Sequence, residues 1–565
     1  MNPKRIVIIG GSAAGPKTAA RVRRLDPEAY ITIIERNQDI TMASCGYPYY
    51  IGGLFDSRDA LLETATGVVR NTGYFKNYKD IDVLINTEVT RINRREKNLE
   101  LSNLITGENS TLPYDKLLIA TGSKAKIPPI EGINLQGITP LKFISDADYL
   151  RKVRDKKEVK KAVIVGGGLI GLETAEALQL SGIEVSVVEL SERLLPFLDR
   201  EVAKLVEKHC RSKGVNILLE SGIEYFMGQN NQLTGVKLNS GVELSCELAV
   251  IAIGVTPDST LAKNAGLKIG ETGGIRVNKF MGTSDRNIYA AGDCVEVINS
   301  VSGVWDYSPK GDMANLQGRV AADNMIFGDT IRFPGTIGTA IGKIFDFSAG
   351  TAGLSETAAE GAGFNVETVL NASTDKPTFM GAKTLISKLT VERSTRRILG
   401  YQCVGKGDVS RQIAQGALAI AGEMTLENMM SLDLPYAPPY SLAVDHFLAS
   451  LHMMDNKLKG LFRGISSHEV YQMHLDRKKG VCFLDLREVD EVETHRLGIG
   501  ELFIPLSTLR RRLRDVPPQK NTLIVCYCLM GPRSYEASLI LRAEGYTNVR
   551  VMEGGMMAWP FPREK

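Results

Sequence analysis

The sequence predicts an α/β fold: two nested nucleotide-binding domains, an α+β domain after them, and a small α/β domain closing the chain. Three observations predict it. Short apolar strands alternate with glycine turns and helical patterns, as parallel sheets require. One strand–turn–helix–strand unit occurs twice: strand Arg5–Ile9, helix Thr18–Leu25 and strand Ile31–Ile34, then strand Lys161–Val165, helix Leu172–Leu180 and strand Glu184–Val188. Beyond Gly335 the pattern changes to threonine- and valine-rich strands such as Thr384–Val391, with alanine-rich helices up to Ser450. The expected boundaries are 1–120 with 257–332 for the first nucleotide domain, 121–256 for the second, and 333–450 for the α+β domain. Residues 451–460, around the polar stretch Met453–Lys459, read as a linker, and 461–565 as the last domain.

Composition excludes several classes. A length of 565 residues supports three or four domains. A formal net charge of +3 is too small at this length for a nucleic-acid or membrane partner. The run Ile6–Ile9 is too short for a signal peptide and reads as a buried strand. No apolar stretch approaches the ~18 residues of a membrane span. Eight scattered cysteines suggest reduced thiols in the cytoplasm, and six histidines without ligand spacing suggest no metal.

The first loop is Gly10-Gly11-Ser12-Ala13-Ala14-Gly15, with Glu35 at the end of the following strand. Small residues let the backbone approach a pyrophosphate at a helix N-terminus, and the acid accepts from a ribose hydroxyl. The second loop, Gly166-Gly167-Gly168-Leu169-Ile170-Gly171, is a full G-x-G-x-x-G match followed by Glu189. An acid there favours a free ribose 2′-hydroxyl, hence NADH over NADPH, although Arg193 lies nearby.

Both loops are Rossmann-like, and with them residues 1–450 resemble the pyridine nucleotide-disulfide oxidoreductase family. Leu117-Leu118-Ile119-Ala120-Thr121-Gly122 is similar to its crossing between nucleotide domains, and Ile288-Tyr289-Ala290-Ala291-Gly292-Asp293 to the segment whose aspartate holds the flavin ribityl chain. The resemblance implies FAD at the first loop and NAD(H) at the second. Arg36, Ser44 and Gly254 belong to the same expected cofactor-binding set. The family's redox cysteine pair is spaced C-x-x-x-x-C; here Cys45 keeps the first position and Tyr50 takes the second. The oxidised partner sulfur must then come from outside the pair.

Ser44-Cys45-Gly46-Tyr47-Pro48-Tyr49-Tyr50 is similar to the coenzyme A disulfide reductase branch. Peroxidase relatives place a histidine where Ala13 stands. Arg21 and Arg24 resemble that branch's coenzyme A phosphate contacts, with Thr41 a further substrate position. Tyr436 and Tyr440 resemble the tyrosines that reach a partner subunit's active site, which implies a homodimer with shared sites. Thr378-Phe379 departs from the branch's Tyr-Tyr pair. The α+β domain is, on this resemblance, a dimerisation domain.

Phe483-Leu484-Asp485-Leu486-Arg487-Glu488 and Cys528-Leu529-Met530-Gly531-Pro532-Arg533-Ser534, with Glu553-Gly554-Gly555 and Trp559, resemble a rhodanese domain. Cys528 would accept sulfane sulfur in a C-x-x-x-x-R loop, with Arg533 against the substrate. Cys526, on the same strand face, reads first as a buried cysteine and second as a resolving thiol. Leu509–Arg514 reads as a basic helix.

The implied activity is an FAD-dependent, NADH-oxidising reductase of persulfides, polysulfides or coenzyme A disulfide. Cys45, its thiolate favoured by the following helix, attacks the substrate sulfur, and reduced flavin cleaves the resulting S–S bond. Two alternatives stay open: an NADH oxidase or peroxidase working through a Cys45 sulfenic acid, and a redox-sensing or sulfur-carrier flavoprotein without turnover.

Overall fold

The computed structural model describes residues 3–564 and divides into two compact units: residues 1–190 with 221–336, and residues 191–220 with 337–565. The first unit holds two parallel sheets. One runs Ile288–Ala290, Lys116–Ile119, Arg5–Ile9, Tyr30–Ile34 and Asp82–Leu84. The other contains Glu184–Val188, Lys161–Val165, Leu248–Ile251 and Ile138–Pro140 in that order. Their central strands, Ile6–Ile9 and Ala162–Val165, are buried on both faces, which explains runs without alternation.

Both loop helices begin earlier than the sequence pattern suggests. The first spans Ala14–Leu25 and the second Leu169–Leu180. Pro16 is tolerated because it lies in the first turn, where backbone N–H groups have no helical acceptor to lose.

In the second unit an antiparallel sheet runs Ala340–Ile344, Phe347–Gly353, Ile398–Gly405, Thr384–Glu392 and Val366–Thr374. The helices Val409–Ala421 and His446–Leu458 pack on it. The C-terminal part is a five-stranded parallel sheet with Leu523–Tyr527 at its centre and Trp559 fully buried beside it.

Two expectations are corrected. The linker at 451–460 is mostly the second half of the helix His446–Leu458, with Leu451 and Met454 completely buried. The basic run is not a helix of its own: a four-residue helix ends at Leu509, and a 3₁₀ turn covers Leu513–Asp515.

Candidate active site

The two glycine loops are built alike. Gly10 and Gly166 have φ of 108° and 112°, and a Cβ on either would strike the carbonyl oxygen of Ala120 or Ala252. A Cβ on Gly15 or Gly171 would strike the oxygen of Gly10 or Gly166, so the strand-to-helix turn closes only with glycine. Glu35 accepts from Gly11 N at 2.7 Å, and Glu189 from Gly167 N at 2.6 Å. Each acid therefore braces its own loop, and Glu35 Oε1 also accepts from Asn37 N at 2.9 Å. Among the described residues no atom lies within 4 Å of a Cβ placed on Gly168, Gly122 or Gly254, which leaves the backbone open to a diphosphate or a ring system. Ser12, at the position matching Gly168, is exposed, as is Arg36. Ala13 and Ala14 stand at the start of the first helix, and Leu169 and Ile170 at the start of the second. Thr121 donates to Asp258 O at 2.6 Å and fixes the crossing between the two sheets.

Cys45 is exposed, in a 3₁₀ turn Ser44–Gly46 that runs into the helix Tyr47–Gly52. Thr41, at φ 65°, anchors this segment through its N–H to Gly11 O at 2.7 Å. Gly46 leaves room for Leu61, whose Cδ2 would stand 2.4 Å from a Cβ. Tyr50, at the position of the missing second cysteine, is buried and pinned: its hydroxyl donates to Asp148 at 3.0 Å and its ring lies under Arg151. Tyr49 donates to Glu173 Oε1 at 3.3 Å, on the helix of the second glycine loop.

The Asp293 end was only partly legible. Ser123 donates to Asp293 Oδ2 at 3.0 Å, the Tyr307 hydroxyl donates to Asp293 O at 3.0 Å, and Lys142 donates to Ser123 at 2.7 Å, 4.0 Å from the carboxylate. Gly292 N donates to Gln317 at 2.7 Å and holds the turn. The helix Gly311–Phe327 begins beside the thiol, with a Cβ on Gly311 falling 4.0 Å from Cys45 Sγ. Lys142, Ser123, Tyr307, Glu173 and Gly311 were absent from the sequence reading because none lies in a recurring motif. Burial lowers the Lys142 pKa, while Asp293 and Cys45 pull it back up.

Three site expectations in the first unit are corrected. Cys45 keeps solvent access at its surface, yet the protein packed around it, followed by the carboxylates of Glu173, Asp293 and Asp312, pushes the thiol up, against the expected thiolate. Arg21 grips Asp323 through two nitrogens at 2.7 and 2.9 Å and is not a free cation; Arg24 is exposed. The Thr41 hydroxyl is buried and donates to the carbonyls of Ile40 and Arg70, so it is already engaged within the chain.

In the second unit, Tyr436 and Tyr440 are exposed, with Tyr440 O accepting from Arg411 at 2.7 Å. Cys528 is 1 % exposed; its Sγ accepts from Gly531 N at 3.2 Å and lies 3.4 Å from Ser534 Oγ. Met556 N and Met557 N donate to the oxygens of Cys528 and Leu529. Arg533, expected to face substrate, is paired with Glu491 through both terminal nitrogens and also interacts with the Cys528 thiol. Cys526 is fully buried, and burial, with Cys482 and Cys528 adding to it, raises its pKa and keeps it a thiol.

Residues 4–307 match the model of the pyridine nucleotide-disulphide oxidoreductase family, 339–447 that family's dimerisation domain, and 466–560 the rhodanese-like domain. The chain belongs to the pyridine nucleotide-disulphide oxidoreductase family. Among solved structures it is similar to an NAD-dependent persulfide reductase from A. fulgidus, at 42% identity and TM-score 0.93, covering 98% of this chain and 100% of that one. It is similar to reduced Bacillus anthracis CoADR-RHD at 33% identity and TM-score 0.90, covering 99% and 98%. The NAD(P)H coenzyme A polysulfide/persulfide reductase of Pyrococcus horikoshii is 35% identical over 440 residues, 78% of this chain and 95% of that protein. As a pyridine nucleotide-disulphide oxidoreductase the chain uses FAD and NAD(P)H, and the two glycine cradles fit them. Among the described residues no helix is long and apolar enough to cross a membrane.

Proposed function

We propose that the protein is a cytoplasmic, homodimeric NADH-dependent reductase of persulfides, polysulfides or coenzyme A disulfide, with Cys528 as a sulfurtransferase centre. One observation carries the reading: an exposed Cys45 without a second cysteine stands between the Asp293–Lys142 end of the first cradle and the Glu173 helix of the second. The relatives named for persulfide reduction and for coenzyme A support the substrate class.

Gly10, Ser12–Gly15, Glu35, Gly292 and Asp293 would hold FAD; Gly166, Gly168–Gly171 and Glu189 would hold the nicotinamide nucleotide. Bound FAD supplies the two-electron link between nicotinamide and sulfur. Cys45, as thiolate, attacks a sulfur of the substrate's S–S bond; an S–S bond to Cys45 forms, the substrate's own S–S bond breaks, and the departing thiolate takes up a proton. Lys142 supplies positive charge beside that sulfur and, with its pKa lowered, is suited to giving up a proton. Tyr436 and Tyr440 are assigned to the partner subunit's site, and Arg24 to the outer phosphates of coenzyme A.

The test is steady-state NADH oxidation with coenzyme A persulfide, polysulfide and coenzyme A disulfide. Cys45→Ser should lower each by at least about 10³-fold while NADH still bleaches the flavin. Cys528→Ser should spare coenzyme A disulfide and slow polysulfide. Full turnover in Cys45→Ser, or a Cys528→Ser enzyme unchanged with every sulfur donor, would contradict the assignment.

A further inference from the structure

The Cys528 loop keeps its cations in closed pairs. Arg533 ends the loop and donates from both terminal nitrogens to the two oxygens of Glu491, at 2.5 and 2.7 Å. This two-pronged geometry is among the strongest side-chain pairings. It pulls the Glu491 carboxyl down to about 2, so the acid is ionised throughout the neutral range. Arg487 closes on Asp485 at 3.0 and 2.7 Å and gives its remaining nitrogen to Glu491 O at 3.1 Å; its side chain is 3% exposed. Arg563 is turned to the carbonyls of Met556 and Trp559. The thiol accepts from Gly531 N at 3.2 Å and lies within reach of Arg533, whose charge Glu491 offsets, while the Ser534 hydroxyl donates to Gly531 O.

These pairings bear on which sulfur donor can enter. Thiosulfate is a dianion whose sulfonate must trade its water for protein donors of matching charge. A group that leaves water without such a partner loses more than it gains. An organic persulfide carries at most one charge, which protonation to R–S–SH removes before attack, with an apolar carbon behind it. Gly531 N, with an Arg533 already neutralised by Glu491, matches that single charge once it lies on Cys528.

We infer that Glu491 is a specificity-determining residue: by holding Arg533 it lets the Cys528 loop take sulfane sulfur from organic persulfides and reject thiosulfate. The inference rests on Cys528 being the sulfur acceptor. The step is a transfer without net oxidation. The Cys528 thiolate attacks the terminal sulfur of R–S–SH, an Sγ–S bond forms, the R–S–S bond breaks, and R–S⁻ leaves and takes the proton. With thiosulfate the leaving group would be sulfite.

The experiment uses the full-length, FAD-loaded protein and measures, by quenched-flow mass spectrometry, the rate at which Cys528 gains one sulfur. Glutathione persulfide and thiosulfate are the two donors. Glu491→Gln keeps an oxygen for the Glu488 N–H, which Glu491 accepts at 3.0 Å, but removes the charge. The wild-type protein should load from the persulfide at least about tenfold faster than from thiosulfate, and Glu491→Gln should raise thiosulfate loading by about tenfold. Adding Arg533→Met to Glu491→Gln should abolish that gain, which separates a freed arginine from a loosened loop. Equal loading from both donors in the wild-type protein, or an unchanged donor ratio in Glu491→Gln, overturns the inference. Failure of Cys528 to load from either donor instead removes its assignment as acceptor.

Discussion

Three carboxylates, those of Glu173, Asp293 and Asp312, act on Cys45 in the same direction as burial and raise its thiol pKa. Below that pKa the thiolate fraction falls tenfold per unit, so each nearby negative charge removed should increase reactivity. Glu173 is the first of the three in strength and lies on the helix of the nucleotide cradle, bonded to Tyr49. Glu173→Gln should therefore shift the pH profile of iodoacetamide alkylation at Cys45 toward lower pH. At pH 7 the reaction should run on the order of threefold faster. An unchanged or slower rate would show that Glu173 does not set the charge at this sulfur. This balance was not legible in the sequence. Cys45 and Tyr50 were legible because they sit in one short motif, whereas Glu173, Lys142 and Asp312 reach the site from distant segments.

At the scale of elements, the loops and strands that were legible are those whose local chemistry has a single solution. Gly10 and Gly166 must be glycine where a strand turns into a helix, and Lys161–Val165 must be a strand because it is buried on both faces. The helix His446–Leu458 had no such local signature. Its polar positions read as a linker because their partners lie far along the chain: Lys457 donates to Glu553 at 2.6 Å and to Thr368 O at 2.6 Å, and Glu553 accepts from Leu370 N at 2.8 Å. Gly554 follows at once, where a Cβ would strike Leu370, and the same segment donates to the carbonyls of the Cys528 loop. The helix thus joins the antiparallel sheet to the rhodanese-like domain. Lys457→Met should leave the buried Glu553 unpaired, at a cost of roughly 3–5 kcal/mol. Calorimetry should then show the C-terminal domain unfolding in an earlier, separate transition. A linker would give no change.

At the scale of the whole molecule, the matched dimerisation domain leaves large apolar side chains uncovered. Phe379 is 76% exposed, Leu418 71% and Tyr440 72%. Single exposed apolar residues are ordinary, but these three fall within one domain of a family defined in part by pairing there. The proposed homodimer covers them and brings the partner's tyrosines to the sulfur site. Phe379→Glu with Leu418→Glu puts charges on that surface while leaving Tyr436, Tyr440, both glycine cradles and Cys45 intact. The variant should sediment as a monomer. NADH should still bleach its flavin, because both cradles lie in the first unit. Turnover with coenzyme A disulfide should fall by about 100-fold or more, the loss expected when groups that orient a substrate are withdrawn. A monomer with full turnover would show that each chain completes its own sulfur site. A dimer that survives both charges would move the interface away from these residues.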